Sequence, residues 1–184
     1  MADDLQKITL GGGCFWCTQA VFKRLKGVVE VVPGYAGGYL SVDGAGPIYE
    51  EVCSGTSGHA EVIQVTFDPA TISYETLLEV FWKTHDPTTL NRQGNDVGEQ
   101  YRSVIFYHDE GQRVLAEESK KKLEQSGYYK DPIITQIVPL TKFYPAENYH
   151  QDYYDRNRQN SYCRIVIDPK IQKLFNDFGK LVKS

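Results

Sequence analysis

At 184 residues, 41% hydrophobic and 12% aromatic, the chain is long enough to bury one substantial core and is expected to form a single domain over 1–184. A net charge of −4 argues against a nucleic-acid surface, and the longest basic run, Lys120 to Lys122, reads as the solvated face of a helix. The start Met-Ala-Asp-Asp is acidic, no run of about 18 apolar residues occurs, and four cysteines are present; together these point to a cytosolic chain without a membrane span, whose cysteines serve redox chemistry or a metal.

Gln6 to Leu10 reads as a short strand. The segment Gly11-Gly-Gly-Cys14-Phe15-Trp16-Cys17 turns from it into a helix expected over Thr18 to Lys26, with Val21, Phe22 and Leu25 on one face and Gly27 closing it. Glu30 to Val32, or slightly before, is strand, and Pro33 to Ile48 is read as a loop rich in glycine and tyrosine. His59 to Phe67 alternates, with Glu61, Ile63, Val65 and Phe67 on one face. Ser73 caps a helix striped by Leu77, Leu78, Phe81 and Trp82 that ends before Asp86-Pro87. A strand follows over Arg102 to Tyr107, and Asp109 with Gln112 opens a charged helix that ends at Gly127. Ile133 to Val138 is a further strand, Phe143 to Tyr162 is tyrosine-rich, and Cys163 to Ile167 is read as a short apolar strand. Asp168-Pro169 begins a last helix with Ile171, Leu174, Phe175, Phe178 and Leu181 on its apolar face. Strands interleaved with helices, without a repeat or linker, predict an α/β sandwich of a mixed sheet covered by helices.

Cys14 falls at the start of the first helix, where free amides and the helix dipole favour a thiolate and would lower its pKa from about 8.5. The three glycines would leave the sulfur uncovered, and Phe15 and Trp16 would form an apolar wall. The bland alternative is a glycine-rich turn before a buried structural cysteine. Glu61 lies on the apolar face of its strand, where desolvation raises a carboxyl pKa and suits it to donate a proton. It could instead reach water at the strand end or pair with a buried cation. Tyr35, Tyr39, Tyr49 and Tyr101 offer hydroxyls, Asp96 a carboxylate, and His59 a ring that could orient a neighbour or be an ordinary hydrogen-bonded histidine.

A zinc site lacks a second compact ligand pair beside the one C-x-x-C, and neither a phosphate-binding loop nor a dinucleotide fingerprint is complete. In a thioredoxin-type active site the tryptophan precedes the first cysteine, whereas here Phe15 and Trp16 lie between the two. A binding module with an aromatic pocket and an incidental Cys14 is the remaining alternative.

The segments Gly-Gly-Cys14-Phe15-Trp16, Gly34-Tyr35-Ala-Gly-Gly-Tyr39, Tyr49-Glu-Glu-Val-Cys53-Ser-Gly-Thr-Ser-Gly-His59-Ala-Glu61, His85-Asp-Pro87 and Gln93-Gly-Asn-Asp96-Val-Gly-Glu-Gln-Tyr101-Arg102-Ser resemble, in order, the peptide methionine sulfoxide reductase A family. The resemblance implies an α/β (α+β) two-layer sandwich with a ferredoxin-like core and flanking helices, and no metal or organic cofactor. It implies reduction of methionine S-sulfoxide, free or in proteins, with Cys14 as nucleophile, Glu61 as acid, Tyr49, Tyr101 and Asp96 around the sulfoxide oxygen, and Phe15 and Trp16 holding the substrate methyl. Cys14 is then left as a sulfenic acid, which a second thiol converts to a disulfide reduced by thioredoxin. Cys163 resembles the family's first recycling cysteine and is the first choice as resolving thiol, with Cys17, three residues from Cys14, as the alternative. The final amphipathic helix stands where many members have a glycine-rich tail with a second recycling cysteine, and it would restrain Cys163. Cys53 is read as a packed cysteine, and a monomer is expected.

Overall fold

The computed structural model describes residues 4–39 and 44–184. In chain order the elements are β1 (Gln6–Gly12), α1 (Phe15–Phe22), β2 (Val28–Ala36), α2 (Tyr49–Cys53), β3 (Ala60–Phe67), α3 (Tyr74–Thr84), the two-residue strands β4 (Arg92–Gln93) and β5 (Asp96–Val97), β6 (Ser103–Tyr107), α4 (Glu110–Ser126), β7 (Gln136–Pro139), β8 (Phe143–Pro145), α5 (Tyr153–Arg156) and α6 (Asp168–Phe178). The main sheet has the order β7-β6-β1-β3-β2-β8, antiparallel throughout except for the β6–β7 pair. Its middle, β6-β1-β3-β2, is built by the run β1-α1-β2-β3-α3-β6, the ferredoxin-like pattern in which each helix carries the chain across one strand.

One sheet face is covered by helices. Ile8 and Leu10 of β1 and Ile63, Val65 and Phe67 of β3 are fully buried with Phe22, Leu77, Leu78, Phe81 and Leu174 from the helices. The other face buries Ala36, Ala60, Val62, Val104 and Phe106 against Val138, Leu140 and Phe143. The alternation read in β3 is therefore real, and it aims Glu61 into the helix-covered side. The helix signals also hold: the Ser73 side chain accepts the Thr76 amide at 3.1 Å, Asp109 accepts that of Gln112 at 2.9 Å, and Gly127 closes α4 in the left-handed region.

Several local readings change, among them the strand expected from Ile133, which begins at Gln136, and the end of the first helix, which falls at Phe22 rather than Lys26. The first helix starts at Phe15 rather than Thr18, with Cys14 as its N-cap. Pro33 to Ala36 of the expected 33–48 loop continue β2, paired with Ile63 to Ala60, while residues 40–43 of that loop lie outside the described residues. Gly34 is required there, because a Cβ would meet the Tyr144 carbonyl oxygen of β8 at 2.4 Å. Cys163 to Ile167 is π-helical and runs straight into α6. The buried positions Cys163, Ile167, Ile171, Leu174 and Phe178 recur every three or four residues, so the stripe of the last helix begins five residues before Asp168, and the β-branched run disguised it. Phe175 is off that stripe and 47% exposed.

Candidate active site

Cys14 caps α1 where β1 ends, and the tight turn between them falls on Gly13, whose φ is +95°. A Cβ on Gly13 would meet Gln93 Cγ at 2.6 Å, and that glutamine bridges Asp86 by accepting its amide at 2.9 Å and donating to its carbonyl at 3.0 Å. Gly13→Ala is therefore expected to cost about 1–3 kcal/mol, read as a lower urea midpoint with unchanged slope. Gly11 and Gly12 act differently: both lie in β1, where added Cβ atoms would meet Val104 at 2.7 Å and Phe81 at 3.0 Å. The glycines thus admit close packing rather than uncovering the sulfur, and Cys14 is only 8% exposed.

Glu61 reaches the same turn. It is 1% exposed, and its Oε2 accepts the Phe15 amide at 3.0 Å, so one of the free first-turn amides serves the carboxyl instead of the thiol. Burial pushes Glu61 up to about 8, against the partial relief of that hydrogen bond and with Asp96 and Cys17 adding to the rise. Neither of the bland readings of Glu61 holds: it does not reach water, and no cation pairs with it among the described residues.

The direction expected for Cys14 is reversed. No side-chain capping hydrogen bond reaches its sulfur, and burial, the contact with Cys17 and the nearness of Glu61 push the thiol well above its ordinary range. Cys17 moves the other way, because Cys14 donates to it and Lys170 lies near. Unliganded, the site therefore holds a protonated Cys14 and a protonated Glu61.

Tyr101 packs on the cluster containing Cys14 and Cys17, and Tyr49 lies close enough to Glu61 and Tyr101 for their ionisation to raise its own pKa. Burial raises the pKa of both phenols, which keeps them as O–H donors. Asp96 accepts the Tyr162 hydroxyl at 2.5 Å, and that hydroxyl is 3.7 Å from Cys17 Sγ. Phe15 is buried against Tyr35 and His150, with ring centroids 5.7 and 5.0 Å away. The half-buried Trp16 stacks on Tyr153 at 3.6 Å and meets Tyr162 edge-on. A cavity of about 520 Å³ opens beside Cys14 and Cys17, with Asp96, Tyr162, Val166 and Lys170 among its lining.

Both resolving candidates are at hand. Cys17 lies near enough to Cys14 for each thiol to shift the other's pKa, and Cys163, wholly buried, belongs with both to one apolar cluster. Cys53 is exposed rather than packed, at the end of α2, with its thiol against the Tyr49 hydroxyl. Tyr35 turns its hydroxyl to Glu147 at 2.7 Å, and Tyr39 is 77% exposed. His59 packs on Tyr144, and a backbone hydrogen bond at Ser57 acts on its ring, while its Nδ1 has no hydrogen-bond partner among the described residues. The sequence reading passed over Glu147 and His150, whose signal was a carboxylate and an imidazole three residues apart in the tyrosine-rich segment; Glu147 accepts the Tyr49 amide at 2.9 Å as well as the Tyr35 hydroxyl. Among the described residues no group of three or more His, Cys, Asp or Glu side chains is arranged to hold a metal ion, and no helix is long and apolar enough to cross a membrane.

Comparison with known proteins agrees with this geometry. The sequence model of the family described as Peptide methionine sulfoxide reductase matches residues 6–181. The peptide methionine sulfoxide reductase MsrA of Saccharolobus solfataricus is 54% identical over 179 residues, covering 97% of this chain and 98% of that protein. Crystal structures of Mxr1 from Saccharomyces cerevisiae are similar in fold. The reduced form gives a TM-score of 0.79 at 36% identity over 86% of this chain and 89% of that one. The form in complex with Trx2 gives 0.54 at 27% identity over 81% and 84%. With a family match spanning almost the whole sequence and a relative 54% identical over nearly all of it, the chain belongs to the peptide methionine sulfoxide reductase family.

Proposed function

We propose that this chain reduces methionine S-sulfoxide, free or in proteins, to methionine, as a single cytoplasmic domain and a monomer, with Cys14 as nucleophile and Glu61 as acid. The observation that carries the assignment of roles is the pairing of the two at one turn: Glu61, pushed up to about 8 by burial, is tied through Oε2 to the amide that follows Cys14. Its other oxygen is left to carry the proton. Tyr49 and Tyr101 hydroxyls and Asp96 complete the polar side of the pocket, and Phe15 and Trp16 bound the substrate methyl.

In the reaction Glu61 gives its proton to the sulfoxide oxygen while the Cys14 sulfur bonds to the sulfoxide sulfur, and the thiol proton passes to the Glu61 carboxylate. Methionine leaves and the oxygen ends on Cys14, so that thiol plus sulfoxide gives sulfenic acid plus thioether. A second thiol then displaces water to form a disulfide, which a dithiol reductant reopens. The nearness of Cys17 to Cys14 on the first turn of α1, where each thiol shifts the other's pKa, favours Cys17 as that thiol, reversing the order suggested by sequence, and the burial of Cys163 in the same cluster makes it the alternative. The reductant we assign is thioredoxin, supported by the complex of the structurally similar Mxr1 with Trx2.

The test is a single turnover without reductant: reduced protein with excess methionine S-sulfoxide, methionine quantified and disulfides mapped by peptide mass. One equivalent of methionine with Cys14 linked to Cys17 is expected. No methionine overturns the function, and a link to Cys163 overturns the resolving assignment alone. In agreement with it, Cys17→Ser is expected to make its first equivalent at the normal rate but to lose thioredoxin-driven turnover, which Cys163→Ser should retain.

A further inference from the structure

We propose that His150 is a positioning residue that fixes the Trp16 indole and thereby sets the width of the methyl pocket, so that it determines selectivity for methyl over larger sulfoxides. The inference deepens the reading above and rests on it.

His150 closes a short 3-10 turn, Asn148–His150, and is 1% exposed. Its ring is the hub of the aromatic wall, with centroids 4.4 Å from Tyr49, 5.0 Å from Phe15 and 5.7 Å from Trp16. The Trp16 Nε1–H donates to His150 Nδ1 at 3.0 Å. An indole N–H can only donate, so Nδ1 must carry a lone pair, and the imidazole is held neutral with its proton on Nε2. That Nε2 has no hydrogen-bond partner among the described residues; the nearest carboxylate oxygen, Glu147 Oε2, is 3.9 Å away. Leaving a buried donor unpaired is unfavourable, so the tautomer persists because the contact to Trp16 demands it.

The indole is thus held in two directions. Tyr153 stacks on its face at an interplanar angle of 6°, which fixes its plane but leaves rotation within that plane free. The hydrogen bond from Nε1 removes the rotation. The segment that carries His150 is itself fastened: Gln151 donates to the carbonyls of Pro33 and Ala146, and the Asp152 amide donates to Gln19 Oε1 at 2.9 Å. Discrimination by one methylene in an apolar pocket is worth about 10–200-fold, and it requires a wall that does not yield.

The experiment compares kcat/KM for methionine S-sulfoxide and ethionine S-sulfoxide. The wild type should prefer the methyl substrate by about tenfold or more. His150→Leu should bring the ratio within about threefold, and His150→Asn, whose Oδ1 takes the place of Nδ1 as acceptor, should keep the wild-type ratio. Trp16→Phe should match His150→Leu, and adding His150→Leu to it should change the ratio no further. If His150→Leu does not fold, His150→Gln, with its acceptor displaced outward, should show the same loss. A histidine that only supports the fold would lower both substrates in proportion. An active wild type with no methyl preference, or with a ratio that His150→Leu or His150→Gln leaves unmoved, overturns the inference alone. A wild type that reduces neither sulfoxide overturns the proposed function and the inference together.

Discussion

Cys14→Ser is expected to release no methionine in a single turnover, a loss on the order of 10⁴-fold or more in the first step. The structure makes the reason sharper than a missing nucleophile. Burial holds the Cys14 thiol above its ordinary pKa, so the resting site does not store a thiolate and the sulfur must lose its proton as it attacks. A thiol can do so because its proton has an acceptor as soon as Glu61 has given its own to the substrate oxygen. A serine hydroxyl in the same buried position is a far weaker acid, and oxygen is a poorer nucleophile toward sulfur. The substitution replaces one sulfur by a smaller oxygen and leaves the rest of the site unchanged, so the urea midpoint should move little and the protein should still bind the sulfoxide. The measurement is methionine released per enzyme with Cys17→Ser alongside. Turnover retained in Cys14→Ser would remove Cys14 from the chemistry, whereas a loss shared equally by both variants would assign them one role.

The parts of the site legible in the sequence are those set by local pattern. Period-two alternation placed Glu61 on the apolar face of β3, and the glycine turn placed Cys14 at the start of α1; both follow from neighbours a few residues away. The thiol's pKa is not legible in the sequence, because a helix N-terminus offers free amides without indicating which group takes them. Glu61, 46 residues distant, takes the Phe15 amide. Composition misleads at Cys163 to Ile167: Ile165, Val166 and Ile167 favour strand, but Ile165 is 72% exposed and the fully buried positions are Cys163 and Ile167, a helical spacing that continues into α6. The role of His150 is not legible from its neighbours, since its partner Trp16 lies 134 residues away. Long-range pairing of polar groups, rather than the outline of the fold, is what a single sequence withholds.

Glu61→Gln is expected to slow the first methionine-producing step by about 10²–10⁴-fold at neutral pH, the usual worth of a positioned general acid. The same substitution should stabilise the protein at high pH, and the two effects together separate a catalytic acid from a structural one. Glutamine keeps the carbonyl oxygen that accepts the Phe15 amide, so the turn at Cys14 is preserved while the proton is removed. In the wild type the folded state holds the Glu61 proton up to about 8, whereas the unfolded chain releases it near the ordinary value of 4.5. Between those values the native state binds more protons than the unfolded one, so the contribution of Glu61 to stability is fully present below about 4.5 and is lost as pH rises toward 8. Over that window the loss amounts to about 4–5 kcal/mol. Urea unfolding of wild type and Glu61→Gln from pH 5 to pH 8 should therefore diverge, with the variant gaining relative stability as pH rises. The wild-type single-turnover rate should fall as pH passes through about 8, where Glu61 loses its proton, and the residual rate of Glu61→Gln should lack that descending limb. A rate unchanged by the substitution would remove Glu61 as the acid. A slowed rate without the divergence in stability would mean that the carboxyl titrates near its ordinary value, and that it acts through its negative charge rather than by giving a proton.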